Sequence, residues 1–366
     1  MFQVLVINPG STTTKIALYN DETEQHSHTF DHSTEDLHPF DSILDQYNFR
    51  CELVQDWLSN NNIDLQQIDA FVGRGGLVCP IPGGTYLVDE DLIHDLKTGI
   101  QGEHASNLGG LIAAYFARQT DKPAYIVDPV VVDELQDVAR LSGHPALPRK
   151  SIFHALNQKA VARQVAADLG RAYHDLRLIV AHLGGGISIG AHCNGKVIDV
   201  NNALDGEGPY SPERSGTLPA GDLVRLCYSR SYSFKEITRF ITGRGGLTAY
   251  LGTNDMETVE AQIAEPETRQ KAELIYQGMA YQIAKAIGAM AAVLKGKVDV
   301  IVITGGISHN NKFVDTIKQY IDYIAPVVVI PGEKEMQALA DGVLRILRDQ
   351  ESSKRYKESI LDDNVV

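Results

Sequence analysis

Three glycine-rich turns carry the residues whose types and spacing best suit phosphate chemistry. The turns are segments 8–15 (NPGSTTTK), 182–188 (HLGGGIS) and 304–308 (TGGIS), and each follows a run of apolar residues. Glycine lets backbone N–H groups approach phosphate oxygens closely, and Ser and Thr hydroxyls add further donors. A single turn of this kind is typical of a plain β-hairpin. Three of them, with Lys15 placed to neutralise a transferred phosphoryl group, predict a phosphate-binding site instead.

The bulk composition narrows the classes of protein that could use such a site. The chain has 366 residues and a net charge of −14, which argues against general binding to nucleic acid or to an anionic membrane. Its apolar runs are shorter than the ~20 residues of a membrane span. The four cysteines are scattered and the N-terminus resembles no signal peptide, so we expect a cytoplasmic protein with reduced thiols.

Two common catalytic motifs are missing from the sequence. There is no GxxxxGK[ST] segment, which argues against a P-loop kinase, and no HExxH segment, which argues against a zincin protease. The tract of His26, His28 and His32 falls in a predicted edge strand, and we interpret it as solvated rather than metal-binding.

The pattern of strands and turns repeats about half a chain apart. Residues 4–7 and 15–19 form one strand–turn–strand unit, and residues 178–183 and 187–192 form another. Elsewhere, apolar runs of strand length alternate with segments of helical periodicity, which indicates sheets covered by helices on both faces. The sequence therefore predicts an α/β protein built from two domains with the same fold.

Five segments resemble the acetokinase family, within the superfamily of acetate and sugar kinases, heat-shock chaperones and actin. They are NPGSTTTKIAL, VGRGGL, RKSIFHALNQKAV, PERSGTLPAGDL and AYLGTND, and the similarity runs from Met1 to about Leu347. The resemblance implies two duplicated actin-like (ribonuclease H-like) domains with mixed sheets flanked by helices. It implies an N-terminal domain at 1–150 plus 335–366, and a C-terminal domain at 151–334 that binds nucleotide and forms a homodimer or larger homo-oligomer.

The resemblance also implies a reaction, the reversible in-line transfer of the ATP γ-phosphoryl group to a carboxylate. Such a transfer needs positioning, a divalent cation and positive groups around the phosphoryl oxygens. The residues whose positions match the family's catalytic groups are Arg214, Arg74, Asp128, His154, His182, Asn8 and Lys15. Mg²⁺ is implied as the metal, with Asn8, Asp128 and Glu335 around it.

Ligand contacts are implied for a further set of positions. Those matching nucleotide contacts are Ser11, Thr13, Gly184, Gly185, Gly186, Asp255, Gly305, Gly306, Ile307 and Asn310. Those matching the acid-binding region are Gly73, Arg74, His104 and Phe153. Gly73 stands where acetate kinases place a valine that lines the acetate pocket. A glycine there predicts a deeper pocket, and hence butyrate or another short-chain or branched acid.

Plainer interpretations remain open for several of these residues. Arg214 would also suit a surface ion pair with Glu213, Gly73 a turn, and Glu335 a carboxylate at a helix N-terminus. Within the same enzyme class the acceptor could instead be acetate, propionate or isobutyrate. Outside that class, the alternative is an actin-like ATPase that uses nucleotide as a conformational switch.

Overall fold

A computed structural model describes residues 1–361 of the chain, and the last five residues of the predicted first domain, 362–366, lie outside the described residues. The strands are β1 (Gln3–Pro9), β2 (Thr13–Asn20), β3 (Thr23–Asp31), β4 (Ala70–Arg74), β5 (Thr85–Leu87), β6 (Ala124–Val127), β7 (Arg177–Leu183), β8 (Ile187–Cys193), β9 (Lys196–Val200), β10 (Val300–Gly305) and β11 (Val327–Pro331). The helices are α1 (Thr34–Leu37), α2 (Tyr47–Asn60), α3 (Glu90–Thr98), α4 (Asn107–Thr120), α5 (Asp137–Arg140), α6 (Ala155–Asp168), α7 (Ala220–Tyr228), α8 (Phe234–Ile241), α9 (Gly246–Leu251), α10 (Met256–Ala264), α11 (Arg269–Val293), α12 (Asn311–Ile321), α13 (Glu335–Leu347) and α14 (Tyr356–Ser359).

Each half of the chain contains one mixed sheet, and the two sheets are built in the same order. The first runs β3-β2-β1-β4-β6-β5 and the second runs β9-β8-β7-β10-β11. In both, an antiparallel meander of three strands is followed by two strands parallel to its first strand, and the first sheet ends with β5, which is antiparallel to β6. The central strands are almost wholly buried, as expected for a sheet with helices on both faces. The predicted α/β fold with duplicated halves is confirmed.

The chain divides into two compact units. One contains Met1–Asp133 and the C-terminal segment that begins at Lys334, and the other contains Glu134–Glu333. The first boundary thus lies at residue 133, whereas the sequence predicted 150. Contacts of segment 134–150 explain the difference, because Glu134 pairs with buried Lys159 and Arg149 pairs with Asp199. These partners tie the segment to the second unit.

Helix α4 lies unusually close to strand β4. A side chain at Gly73 would place its Cβ 2.0 Å from the backbone oxygen of Gly109, a separation that no real packing allows. The space beside Gly73 is therefore filled by helix backbone, and the predicted deepening of an acid pocket at this position is wrong. Gly73 is required instead because it lets the sheet and the helix approach each other.

None of the helices within residues 1–361 is both long enough and apolar enough to cross a bilayer.

The close approach at Gly73 can be tested with a matched pair of Gly-to-Ala substitutions. Gly73→Ala should lower the free energy of unfolding by about 3 kcal/mol, because the added methyl group overlaps backbone that cannot move aside. Gly288→Ala, in α11 with open space around its Cβ, should leave stability unchanged or raise it by about 0.5 kcal/mol. Calorimetric unfolding measures both. Equal midpoints for the two variants would show that α4 does not constrain Gly73.

Candidate active site

Polar residues follow three adjacent strands of the first sheet at one edge. β1 and β4 run parallel with Ile7 beside Gly73, and β4 in turn runs parallel to β6. Asn8, Arg74 and Asp128 come at or just after the carboxyl ends of these strands. Since that edge is where α/β proteins collect ligand-binding groups, the fold brings these three predicted residues to one place.

Helix α13 adds a carboxylate to this edge through its first residue, Glu335. Arg74 binds it with two parallel contacts, Nη2 to Oε1 and Nη1 to Oε2, both 2.9 Å. Asn8 donates its Nδ2 to Oε2 at 2.8 Å. Both partners are largely shielded from water, and this geometry orients Arg74 as a rigid fork. The side-chain oxygen of Asn8 is thereby left as the acceptor that a hard cation would use.

Asp128 adopts a backbone conformation that few non-glycine residues accept. Its φ is +37°, and its buried carboxylate accepts the N–H of Gly84 through Oδ1 at 2.7 Å. The Asp128 N–H in turn donates to the Gly84 oxygen at 3.0 Å. Backbone strain of this kind, maintained by reciprocal hydrogen bonds, is common at functional sites, where the orientation of a side chain matters.

The first glycine turn is exposed on its outer side and held firmly on its inner side. Ser11 and Lys15 are exposed, Thr13 is half-buried, and the Gly10 N–H closes the turn on the Thr13 oxygen at 2.8 Å. His32, predicted to be solvated, is instead buried and lies 2.8 Å from the hydroxyl of Thr14. That prediction was wrong because β3 ends just before His32, where the chain turns inward.

In the second unit, two predicted catalytic histidines stack on each other. The rings of His154 and His182 are 3.7 Å apart and nearly parallel, with an interplanar angle of 9°. Each ring is anchored through Nδ1, His154 to the Ser188 hydroxyl at 2.9 Å and His182 to the Asn157 side-chain oxygen at 2.9 Å. The His182 Nε2 also lies 3.1 Å from a carboxylate oxygen of Glu333.

A chain of buried hydrogen bonds leads to the ring of His154. Gln158 donates its amide N–H to the Ser188 backbone oxygen and hydroxyl, at 3.1 and 2.8 Å, so its amide oxygen faces His192. The Ser188 hydroxyl thus accepts a hydrogen bond from Gln158 and also contacts Nδ1 of His154. Where this hydroxyl gives its own proton to Nδ1, the neutral His154 ring carries its proton on Nε2. Burial keeps His192 uncharged, since it holds the pKa of that imidazole well below its ordinary value.

Arg214 lies directly against the second glycine turn. Its Nη1 donates to the Ala203 oxygen at 2.5 Å, and a Cβ at Gly186 would fall 2.0 Å from the same nitrogen. Gly186 is therefore needed for the guanidinium to reach this position. Burial lowers the pKa of Arg214, and its Nε is buried with no hydrogen-bond partner in the described part of the chain. A half-satisfied guanidinium beside a phosphate-type turn is suited to bind an anion.

A cleft of about 670 Å³ opens between the glycine turns of the second unit. Its walls include six predicted nucleotide contacts, namely Gly184, Gly185, Asp255, Gly306, Ile307 and Asn310. Gly186 lies behind Arg214, and Gly305 is buried at the end of β10; neither lines the cleft. The cleft is large enough for a nucleoside and is bordered by backbone N–H groups of two turns.

Sequence reasoning missed several residues that line this cleft. Glu260 accepts a hydrogen bond from the Asn310 amide at 2.9 Å, and Asn254 donates to Glu213 at 2.6 Å. Lys312, in the first turn of α12, adds a cation to the wall. Of these residues, only Lys312 could have been suggested by the sequence, because it is a cation six residues after the Gly305-Gly306 pair.

The remaining predicted site residues are less well placed for ligand contact. His104 is exposed, and its Nδ1 contacts the hydroxyl of Ser106 at 2.8 Å just before α4. Phe153 is buried immediately before the first turn of α6. Their roles in binding an acid stay predictions.

The residues described, 1–361, contain no cluster of three or more His, Cys, Asp and Glu side chains arranged to hold a metal ion. The edge formed by Asn8, Asp128 and Glu335 offers two carboxylates and an amide oxygen. These are hard oxygen donors, and Mg²⁺ needs few of them because it keeps several waters.

Comparison with known proteins finds close relatives over nearly the whole chain. Residues 144–325 match the acetokinase family. The chain is 56% identical over 356 residues to butyrate kinase 2 of Clostridium acetobutylicum, an alignment that covers 97% of this chain and 99% of that protein. It is 52% identical to butyrate kinase 1 of the same organism, over 98% of this chain and 100% of the relative.

Solved structures share the fold at much lower identity. An acetate kinase from Porphyromonas gingivalis superimposes with a TM-score of 0.78 at 20% identity, covering 95% of this chain and 100% of the other. A propionate kinase from Francisella tularensis gives 0.72 at 22% identity, covering 93% and 99%. These similarities confirm the predicted two-domain actin-like architecture.

The hydrogen-bond chain that ends at His154 generates a spectroscopic prediction. In protein labelled with [¹⁵N]histidine, at a pH where the ring is neutral, His154 should carry its proton on Nε2, as expected when the Ser188 hydroxyl donates to Nδ1. Ser188→Ala should shift the ring toward a mixture of tautomers, whereas Ser229→Ala, at an exposed serine, should leave it unchanged. A His154→Gln variant assigns the signal. A proton found on Nδ1 in the unmodified protein would contradict the assignment.

Proposed function

The chain belongs to the acetokinase family, and we propose that it transfers the γ-phosphoryl group of ATP reversibly to butyrate, or to another short-chain or branched acid, giving the acyl phosphate. The protein is a kinase that phosphorylates a carboxylate. The choice of butyrate is carried by one observation, the 56% identity to butyrate kinase 2 over almost the full length. Gly73 no longer contributes to it, because the space beside that residue is filled by Gly109.

Arg214 is the group best suited to stabilise the transferring phosphoryl. Its guanidinium is held between the Ala203 oxygen and Gly186, beside the glycine turn that borders the nucleotide cleft. A planar cation in a partly dehydrated position interacts strongly with charge that spreads over phosphoryl oxygens during transfer. His154 supports this as a further hydrogen-bonding group, with its ring held through Nδ1 by the Ser188 hydroxyl.

In the first unit, Arg74 and Lys15 supply positive charge for the acid and the phosphoryl group. Arg74 is pre-oriented by its two contacts with Glu335, so little conformational entropy is lost when an anion binds it. Lys15 stands next to Asn8 across the β1–β2 pair, which places its charge close to the polar strand ends.

Asn8, Asp128 and Glu335 are the residues that would hold Mg²⁺. Both oxygens of Glu335 already contact Arg74 and Asn8, and Asn8 and Asp128 add an amide oxygen and a second carboxylate. When bound, Mg²⁺ would supply positive charge that neutralises phosphate oxygens.

We assign the protein to the cytoplasm and to a homodimer or a larger homo-oligomer as part of the same proposal. All four cysteines are free thiols, which suits a reducing compartment. Helix α11 exposes Leu274 and Tyr281, at 70% and 50% of their surfaces, as apolar contacts that a second copy could cover.

The acceptor acid is tested with a series of acids from two to six carbons. The acyl phosphate is trapped with hydroxylamine, and kcat/KM is measured for each acid at saturating MgATP. Butyrate should be among the best acceptors, and acetate should be at least ~10-fold poorer, the factor expected for methylene groups that lose a fitted apolar contact.

Two results of this series would contradict the proposal. A clear preference for acetate would remove the butyrate assignment while keeping the kinase. ATP hydrolysis that does not depend on acid and yields no trapped acyl phosphate would favour the nucleotide-switch alternative.

The role of Arg214 is tested with two substitutions, one that removes its positive charge and one that keeps it. Arg214→Ala should lower kcat by about 10³-fold, because an arginine at a transferring phosphoryl stabilises the transition state by that order. Arg214→Lys should recover only part of the loss, since lysine lacks the two-point fork. Arg225→Ala, at an exposed arginine paired with Asp222, is the matched control and should be neutral. Near-normal turnover of Arg214→Ala would remove Arg214 from the mechanism.

A further inference from the structure

Helix α2 buries an arginine directly behind the first glycine turn. The side chain of Arg50 is fully buried, at 0% exposure, and its guanidinium reaches two parts of the chain. On its own helix, Nε and Nη2 donate to the Gln46 side-chain oxygen at 3.2 and 2.8 Å. Toward the turn, Nη1 donates to the Thr13 oxygen at 2.8 Å and the Thr14 hydroxyl at 2.9 Å, and Nη2 approaches the Ser11 oxygen at 3.4 Å.

No carboxylate of residues 1–361 forms an ion pair with this guanidinium. Burial alone lowers the pKa of Arg50 to about 10, so the residue stays charged at neutral pH with only neutral oxygens around it. Lys159 is also a buried cation, but its amine forms an ion pair with Glu134 at 2.7 Å. A buried charge that lacks such a partner costs stability, and its retention points to a use.

Two of the five contacts of Arg50 go to backbone carbonyl groups of the turn. Its two Nη atoms bind the Ser11 and Thr13 oxygens, while the His32 N–H binds the Thr12 oxygen at 2.8 Å. Three successive carbonyl oxygens of the turn are therefore held by side-chain and backbone groups of the same unit.

We infer that Arg50 is a positioning residue that holds the Ser11–Thr14 turn in its anion-binding form, and that its unpaired positive charge strengthens the attraction of the turn for nucleotide phosphates. The charge acts through protein rather than through water, so it is weakly screened at the turn surface. The inference rests on the proposed function in one respect, namely that the turn meets the phosphates of ATP.

Two substitutions separate the mechanical and electrostatic parts of this role. Arg50→Lys keeps the charge but cannot bind the Ser11 and Thr13 oxygens together with Gln46. Gln46→Glu keeps the shape of the helix partner and places a carboxylate against the guanidinium, which neutralises the buried charge. Arg118→Lys, at an exposed arginine of the same unit, is the matched control.

The readout is the dissociation constant of each variant for MgATP and for adenosine, measured by calorimetry. Arg50→Lys and Gln46→Glu should each weaken MgATP binding about tenfold, the effect of one lost charge-assisted contact, and leave adenosine binding within about twofold. Arg118→Lys should change neither. In steady-state assays KM for MgATP should rise in the same proportion, while KM for the acid stays near its original value.

The outcomes distinguish this role from general stabilisation. Parallel weakening of MgATP and adenosine would show that Arg50 only supports the fold, and unchanged MgATP affinity in both folded variants would equally refute the inference. If Arg50→Lys does not fold, as judged by circular dichroism and gel filtration, Gln46→Glu alone decides the matter. An unmodified protein that binds neither ligand would refute the proposed function first, and this inference with it.

Discussion

Parallel pairing of β1, β4 and β6 is the constraint on which the polar cluster of the first unit depends. Because the three strands run in the same direction, their carboxyl ends meet at one edge, and Asn8, Arg74 and Asp128 are brought together although they are far apart in sequence. Glu335 joins them only because α13 packs on the same sheet. The ion pair between Arg74 and Glu335 is thus a consequence of topology and not of local sequence.

In the second unit, β7 and β10 pair in parallel by the same rule and bring two glycine turns together around one cleft. Behind the turns, polar side chains are linked by long chains of hydrogen bonds, such as the one from Tyr173 through His192 and Gln158 to Ser188. A connected buried network of this kind restrains the side chains that it holds. In the first unit, the hydrogen bonds of Arg50 restrain the first turn in a similar way.

Much of the architecture was readable from the sequence because its signals are local. Apolar strands ending in glycine turns, repeated half a chain apart, predicted the duplicated α/β fold, and the two turns of the second unit contribute residues to its cleft. The domain boundary was displaced because segment 134–150 has no marked pattern of its own. Its membership depends on long-range pairs such as Lys159 with Glu134.

Individual roles were harder to predict because a residue's neighbours decide them. Gly73 was interpreted as a pocket residue, yet the backbone of Gly109 occupies the space beside it. His32 was grouped with two exposed histidines, yet it is buried against Thr14. The residues next to Arg50 in the sequence do not indicate that its guanidinium will bind a turn nearly forty positions earlier.

By itself, the sequence determined the class of chemistry and the order of the elements. The class of chemistry is indicated by glycines, hydroxyl side chains and a few cations at close spacing in an acidic chain. These features can be read from the sequence without knowing how the chain folds. Only the tertiary structure decided which cation is oriented by Glu335, which hydroxyl contacts Nδ1 of His154 and which glycine is needed for packing. The physical reason is that hydrogen bonding and close packing act over a few ångströms, between residues that the chain separates by tens or hundreds of positions.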